Sequence, residues 1–364
     1  MTIKTETLEP GERIINALRQ LYQSYGYKQY KVSKFEEYDL YMENKKFLMS
    51  EQVLTFSDMN GKLMALKPDI TLSIIKNTRD EDRIRKLCYN ETVYRVPRNA
   101  YGFCEIMQTG LECIGQIDAY AAAEVLMLAA RSLQEISRDY VLDVSDMGVI
   151  SALLAEAELP EEAQRRILDA VGEKNQHGLG PVCAQYGVPE NIETLLKTLI
   201  STYGPLDETL AKMEKLSLPA GCAEALAGLG EISGLLKLYG LENINLDFSV
   251  VNDMDYYNGL VFRGFIKGIP VGVLSGGRYD NLMIKMGKHS QAIGFAVYLD
   301  ELERFMDTER KYDVDTLIIY DPEGDLTKAA AMAEELRAGG KTVRVQPENT
   351  EDLSAREVIY VNGR

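Results

Sequence analysis

The chain has 364 residues, 46 % of them hydrophobic, and a formal net charge of −16. That length calls for two or three domains, and no run approaches the ~20 apolar residues needed to span a bilayer. So strong an acidic balance also counts against a nucleic acid as the main partner, because phosphate contacts supply most of such affinity.

The opening residues, MTIKTETLEPGER, contain no apolar stretch, so no secretory leader is expected and the cytoplasm is the default location. Five cysteines (Cys88, Cys104, Cys113, Cys183, Cys222) without a CxxC read as reduced thiols. With only His177 and His289 in the chain, a zinc site or a Ser-His-Asp triad is poorly supported.

Apolar residues at helical spacing from Ile14 to Tyr25 predict an amphipathic helix opened by Glu9-Pro10-Gly11 and closed by Gly26. Residues 27–35 then read as extended. Residues 53–57 and 62–66 flank Met59-Asn60-Gly61, and Asn-Gly is the strongest short signal for a hairpin. Pro68 ends the second strand, and Asp69 is placed to cap a helix through Thr78 with its carboxylate. A carboxylate beside the Thr71 hydroxyl could equally hold an ammonium group.

Residues 87–96 and 103–114 predict a strand pair around the loop VPRNAYG. Gln108 and Glu112 lie an even number apart, so both point to one sheet face. A helix over 118–137 and a strand over 139–144 follow. From 147 to 242, helical periodicity broken by prolines predicts a helical insertion.

Residues 247–280 then read DFSVVNDMDYYNGLVFRGFIKGIPVGVLSGGRYD. Two strands, over 250–262 and 271–275, are expected around a turn at Lys267-Gly268. Gly276-Gly277 is expected to let the backbone turn sharply before a helix from Asn281. Tyrosine hydroxyls with Asp and Arg nearby suit a small polar ligand. A strand over 291–297 runs into a helix from Leu299. Residues 314–320, 326–338, 341–345 and 358–361 form a small β-α-β-β unit.

Five segments, KPDIT, YRVP, MQTGLE, DMDYYNGLVF and GGRYD, resemble in order the signature segments of histidyl-tRNA synthetase and its paralogues. The resemblance implies an α+β fold: a class II aminoacyl-tRNA synthetase-like antiparallel sheet flanked by helices, with an all-helical insertion and a short C-terminal α/β unit. The expected division is 1–146 and 243–310 for the core, 147–242 for the insertion and 311–364 for a truncated last domain.

Several positions depart from the synthetase pattern. Asn252 stands for the arginine before the paired tyrosines, Pro97 for the second-motif acid, Tyr298 for a third-motif glycine and Glu301 for the third-motif arginine. A cation near a phosphate is worth about 4 kcal/mol at ~4 Å with an effective dielectric of ~20. Losing one cation and inverting another forfeits roughly 10 kcal/mol, or about seven decades of rate.

KPDIT is closer to the RPDMT version associated with the synthetase-like regulatory subunit of ATP phosphoribosyltransferase. That resemblance implies a non-catalytic subunit without a cofactor or metal, and without tRNA or membrane partners. Its implied partners are a short-form catalytic subunit and a second copy of itself, within a larger hetero-oligomer expected to be a hetero-octamer. Histidine is the implied effector, held by Asp69, Thr71, Gln108, Glu112, Tyr256, Tyr257 and Tyr279, with Arg95 a residual phosphate-binding candidate. The alternative is an active histidyl-tRNA synthetase or another class II amino-acid-activating enzyme.

Overall fold

The structure, a computed structural model, describes residues 10–48, 52–81, 83–96, 102–251, 257–303, 312–349 and 353–361. Two compact units emerge: Ile14–Phe305, and Met1–Arg13 with Met306–Arg364.

In the larger unit, α1 (Pro10–Ser24) buries Leu18 and Tyr22. The short strands β1 (Lys28–Gln29) and β2 (Phe35–Glu37) lead to α2 (Tyr38–Glu43). The expected hairpin forms from β3 (Thr55–Ser57) and β4 (Leu63–Leu66). Its turn is held by Asp58, whose Oδ1 accepts from the Asn60 and Lys62 amides, and by Gly61 at φ 79°. Next come α3 (Thr71–Asn77) and the long pair β5 (Arg85–Arg95) and β6 (Cys104–Gly115).

Helix α4 (Ala119–Ile136) begins where predicted, with the Asp118 carboxylate accepting from the Ala121 amide at 2.8 Å. Strand β7 (Tyr140–Asp146) precedes a helical stretch: α5 (Met147–Glu156), α6 (Glu161–Gly172), α7 (Gln176–Tyr186) and α8 (Glu190–Ser201), then α9 (Leu206–Met213) and α10 (Ala220–Leu238). This stretch is not wholly helical. Strand β8 (Tyr203–Pro205) interrupts it and joins the main sheet against β9 (Ile244–Asp247). Three residues are too few for alternation to show, and pairing with a distant strand decides them.

Strands β10 (Leu260–Ile266) and β11 (Leu274–Arg278) form the expected antiparallel pair. The first starts later than expected, since Val250 and Val251 are not in a strand. Helix α11 (Asp280–Lys285), β12 (Gln291–Tyr298) and α12 (Leu299–Glu303) complete this unit.

The main sheet runs β1-β5-β6-β12-β11-β10-β7-β9-β8 and is antiparallel except where β1 meets β5 and β7 meets β9. One face packs on α1 and α4: Tyr22 meets Phe295 edge-on at 5.9 Å, and its hydroxyl meets that of Ser132. Gly276 belongs to this face. A Cβ there would stand 2.4 Å from both the Gly294 carbonyl oxygen and the Phe295 side chain. The glycine pair is therefore not a turn but lies within β11, where close packing on both faces excludes side chains.

The smaller unit contains β13 (Val314–Tyr320), α13 (Leu326–Ala338), β14 (Val343–Gln346) and β15 (Ala355–Val361), in a parallel sheet of order β14-β13-β15. Ala329 and Ala333 of α13 pack on Ile318 and Val361. Among the described residues, no helix is long and apolar enough to cross a membrane.

Candidate functional site

The other face of the main sheet carries the candidate residues. Strand register puts Tyr89, Glu91 and Arg95 of β5 on this face with Gln108, Gly110 and Glu112 of β6. Across β6 follow Gly294 and Tyr298 of β12, then Ser275 and Gly277 of β11. Three glycines clear the floor for three side chains lying across it. A Cβ on Gly110 would meet the Tyr89 hydroxyl at 2.7 Å, and one on Gly277 the Tyr257 ring at 2.5 Å. One on Gly294 would meet Glu112 Oε2 at 1.8 Å.

Glu112 is the centre of the site. It is 2 % exposed, and both carboxylate oxygens are engaged. Oε1 accepts from the Thr71 hydroxyl at 3.0 Å and Oε2 from the Tyr279 hydroxyl at 2.6 Å. Burial, with the Asp69 charge adding, pushes its carboxyl up to about 8 against the two hydroxyl donors, which pull it down. Tyr279 is 2 % exposed and lies at the junction of β11 and α11. Its backbone amide bonds the Ala292 carbonyl.

Asp69 does act as a helix cap: from two residues before α3 its Oδ1 accepts from the Leu72 amide at 2.8 Å. Burial raises its carboxyl, while that hydrogen bond and the nearby Arg95 guanidinium lower it. The cap and a ligand-holding role are compatible, because a carboxylate has further acceptor sites. Arg95 is 7 % exposed, which excludes a surface ion pair. Gln108 is 4 % exposed, and its Nε2 has no hydrogen-bond partner among the described residues. Buried amides seldom lack partners, so this donor suits a ligand acceptor.

Tyr257 reaches the same place, its phenol raised by burial and by the neighbouring Tyr298, Glu112 and Asp69. The structure thus brings Asp69, Thr71, Tyr257 and Tyr279 around Glu112, with Gln108 further along the same face of β6 and Arg95, whose charge reaches Asp69, further still along β5. Tyr256, Asn252 and Pro97 lie outside the described residues.

Two further residues belong here. Tyr89 is buried beside Glu112 and Asp69. Tyr298 pairs with Gln108 across the sheet, and its hydroxyl meets that of Ser275 at 2.6 Å. Alternation along each strand could have indicated both, but only register shows which strands share the face. Helix α12 follows Tyr298 at once, and its Asp300 carboxylate accepts from the Met107 amide at 3.2 Å.

The histidyl-tRNA synthetase family model matches residues 4–302. The chain belongs to the histidyl-tRNA synthetase family. Within that family it is 28 % identical over 360 residues to an ATP phosphoribosyltransferase regulatory subunit of Clostridium kluyveri, covering 96 % of this chain and 92 % of the relative. It is also similar to the crystal structure of an ATP phosphoribosyltransferase regulatory subunit/histidyl-tRNA synthetase from Bacillus halodurans. That likeness has a TM-score of 0.80 at 25 % identity, over 97 % of this chain and 94 % of the other. A chain of an ATP phosphoribosyl transferase (HisG:HisZ) complex from Thermotoga maritima shares the fold, with a TM-score of 0.62 at 18 % identity, covering 80 % of this chain and 98 % of the other. The family match ends within α12, so β13, α13, β14 and β15 lie beyond it.

Proposed function

We propose that the chain is a non-catalytic regulatory subunit of ATP phosphoribosyltransferase, which activates a short catalytic subunit and carries feedback by histidine. The observation that carries this reading is the contrast between the two ends of the site. The amino-acid end keeps a carboxylate pair, hydroxyls and tyrosines around Glu112.

The nucleotide end carries Tyr298 in place of a glycine, then Asp300 and Glu301 at the start of α12. Polyphosphate would meet carboxylates there instead of a cation, and a phenol where the family keeps open space. The names of the relatives point the same way, and the Thermotoga maritima complex supports a catalytic partner subunit.

In this reading Asp69 and Thr71 hold the amino group of histidine, Gln108 its amino or carboxylate end, and Glu112 with Tyr256 and Tyr257 the imidazole. Tyr279 supports Glu112 from behind. Arg95 sits beside Asp69 and is the candidate for any residual anion contact. The assembly is a homodimer within a hetero-octamer. Feedback follows if histidine binds two quaternary arrangements unequally.

The test is phosphoribosyl-ATP formation by a short-form catalytic subunit, alone, with this chain, and with added histidine. A rate increase that histidine reverses is the expected result. No rate change and no complex would refute the proposal, and histidine-dependent ATP–pyrophosphate exchange would then favour a synthetase.

A further inference from the structure

We infer that Glu112 stands in the free protein as its neutral carboxylic acid and passes that proton to the imidazole of the bound effector, so that the site selects side chains able to accept a proton. The inference rests on the histidine reading above and adds to it the charge state of the site and its consequence for specificity.

Among the described residues, no lysine or arginine forms an ion pair with Glu112. Its hydrogen-bond partners among the described residues are two neutral hydroxyls, those of Thr71 and Tyr279. The titratable groups packed around it come from five elements. Asp69 arrives from the segment before α3, Tyr89 from β5, and Tyr257 from the segment before β10. Tyr279 arrives from the end of β11, and Tyr298 from β12. Cys113, its neighbour on β6, lies on the opposite face and is itself raised by burial.

Two arginine charges act on the neighbours of Glu112: that of Arg95 on Asp69, and that of the exposed Arg263 of β10 on Tyr257. Asp69 and Arg95 together are neutral, so a second carboxylate would be a buried, uncompensated charge. Burial and Asp69 hold the Glu112 carboxyl at about 8, in agreement with that count.

The surrounding hydroxyls allow both charge states without rearrangement. A hydroxyl can donate to a carboxylate or accept from a carboxylic acid. Either contact to Glu112 can therefore reverse when the proton moves.

On binding, the Glu112 O–H bond breaks and an N–H bond forms on the imidazole, giving a carboxylate beside an imidazolium. No other reactant is needed. The product is a charge-assisted pair in a buried site, where such pairs are strongest. A ring of the same shape that cannot accept the proton leaves the acid neutral and forgoes the pair.

Two consequences can be measured by calorimetry of histidine binding in phosphate and in Tris, which differ in ionisation enthalpy. At pH 7 the protein supplies the proton, so the heat should be the same in both buffers. At about pH 8.8 the free carboxyl has ionised, and binding should take up close to one proton from the buffer. Affinity should fall about tenfold per pH unit above 8. The variant Glu112→Gln has no proton to lose, so it reports the uptake due to the amino group of histidine alone. Triazolylalanine, a far weaker base of the same shape, should bind wild type at least tenfold more weakly than histidine and lose that disadvantage in Glu112→Gln.

Equal proton uptake by wild type and variant at pH 8.8, or uptake by wild type at pH 7, would overturn the inference and leave the histidine reading intact. Absence of histidine binding by wild type at both pH values would remove the histidine reading, and the inference with it.

Discussion

Replacing Glu112 by Gln should make the free protein more stable at neutral and alkaline pH, and the gain should vanish in acid. The sign follows from proton counting. Burial raises the Glu112 carboxyl from its ordinary 4.5 to about 8 in the folded chain, so the native state holds a proton that the unfolded state has lost. Stability then falls as pH rises across that window. The full displacement corresponds to about 5 kcal/mol, of which about 3 kcal/mol acts at pH 7 and under 1 kcal/mol at pH 5.

Asp69, also raised by burial, adds a change of the same sign. The glutamine side chain keeps the shape of the glutamate and carries no charge. Its amide oxygen can accept from one hydroxyl while its NH2 group donates to the other. Urea unfolding followed by far-ultraviolet circular dichroism at pH 5, 6, 7 and 8, for both proteins, measures the difference. The variant should gain about 3–4 kcal/mol on wild type between pH 5 and pH 8. A difference independent of pH would mean that Glu112 is not held neutral, and the charge account of the site would be wrong.

Other parts of the structure give sharper single-site outcomes. Gly294→Ala places a methyl on Glu112 Oε2 and 2.5 Å from the Leu111 carbonyl oxygen, so the carboxylate must leave its place over β12. A loss of about 3 kcal/mol is expected from overpacking and the broken Tyr279 bond, with histidine binding abolished, as calorimetry would show. Lys67 is completely buried and pairs with Glu91 at 2.6 Å. Lys67→Met should cost about 3–5 kcal/mol in chemical unfolding by stranding that carboxylate, and Lys67→Met/Glu91→Gln should recover much of it. Asp118→Ala removes the cap of α4 and should cost about 1 kcal/mol, seen as a lower melting temperature with histidine affinity unchanged.

Much of the molecule was legible in the chain because local chemistry decides it. The Asn-Gly hairpin, the Asp118 cap, the β5–β6 pair and the β-α-β-β tail each rest on turn residues, caps and periodicities that act within a few residues. Asp69, Thr71, Gln108 and Glu112 could be singled out because their spacing and segment order carry the family resemblance. Alternation along β6 alone placed Gln108 and Glu112 on one face. Strand β8 was invisible, since three residues carry no period. The Gly276-Gly277 pair reads as a turn but lies within β11, because a glycine required by a neighbouring backbone looks, in sequence, like one required by a turn.

From sequence alone came the fold class, the family and the short list of polar groups, all set by local periodicity and ordered motifs. Tertiary structure decided the charge state of the site. Glu112 is an ordinary carboxylate in the chain. It becomes a held proton only where β5, β6 and β12 bury it, where Thr71 and Tyr279 offer it neutral hydroxyls and Arg95 is engaged by Asp69. Desolvation and charge pairing depend on which distant segments meet, and no pattern along the chain encodes their distances.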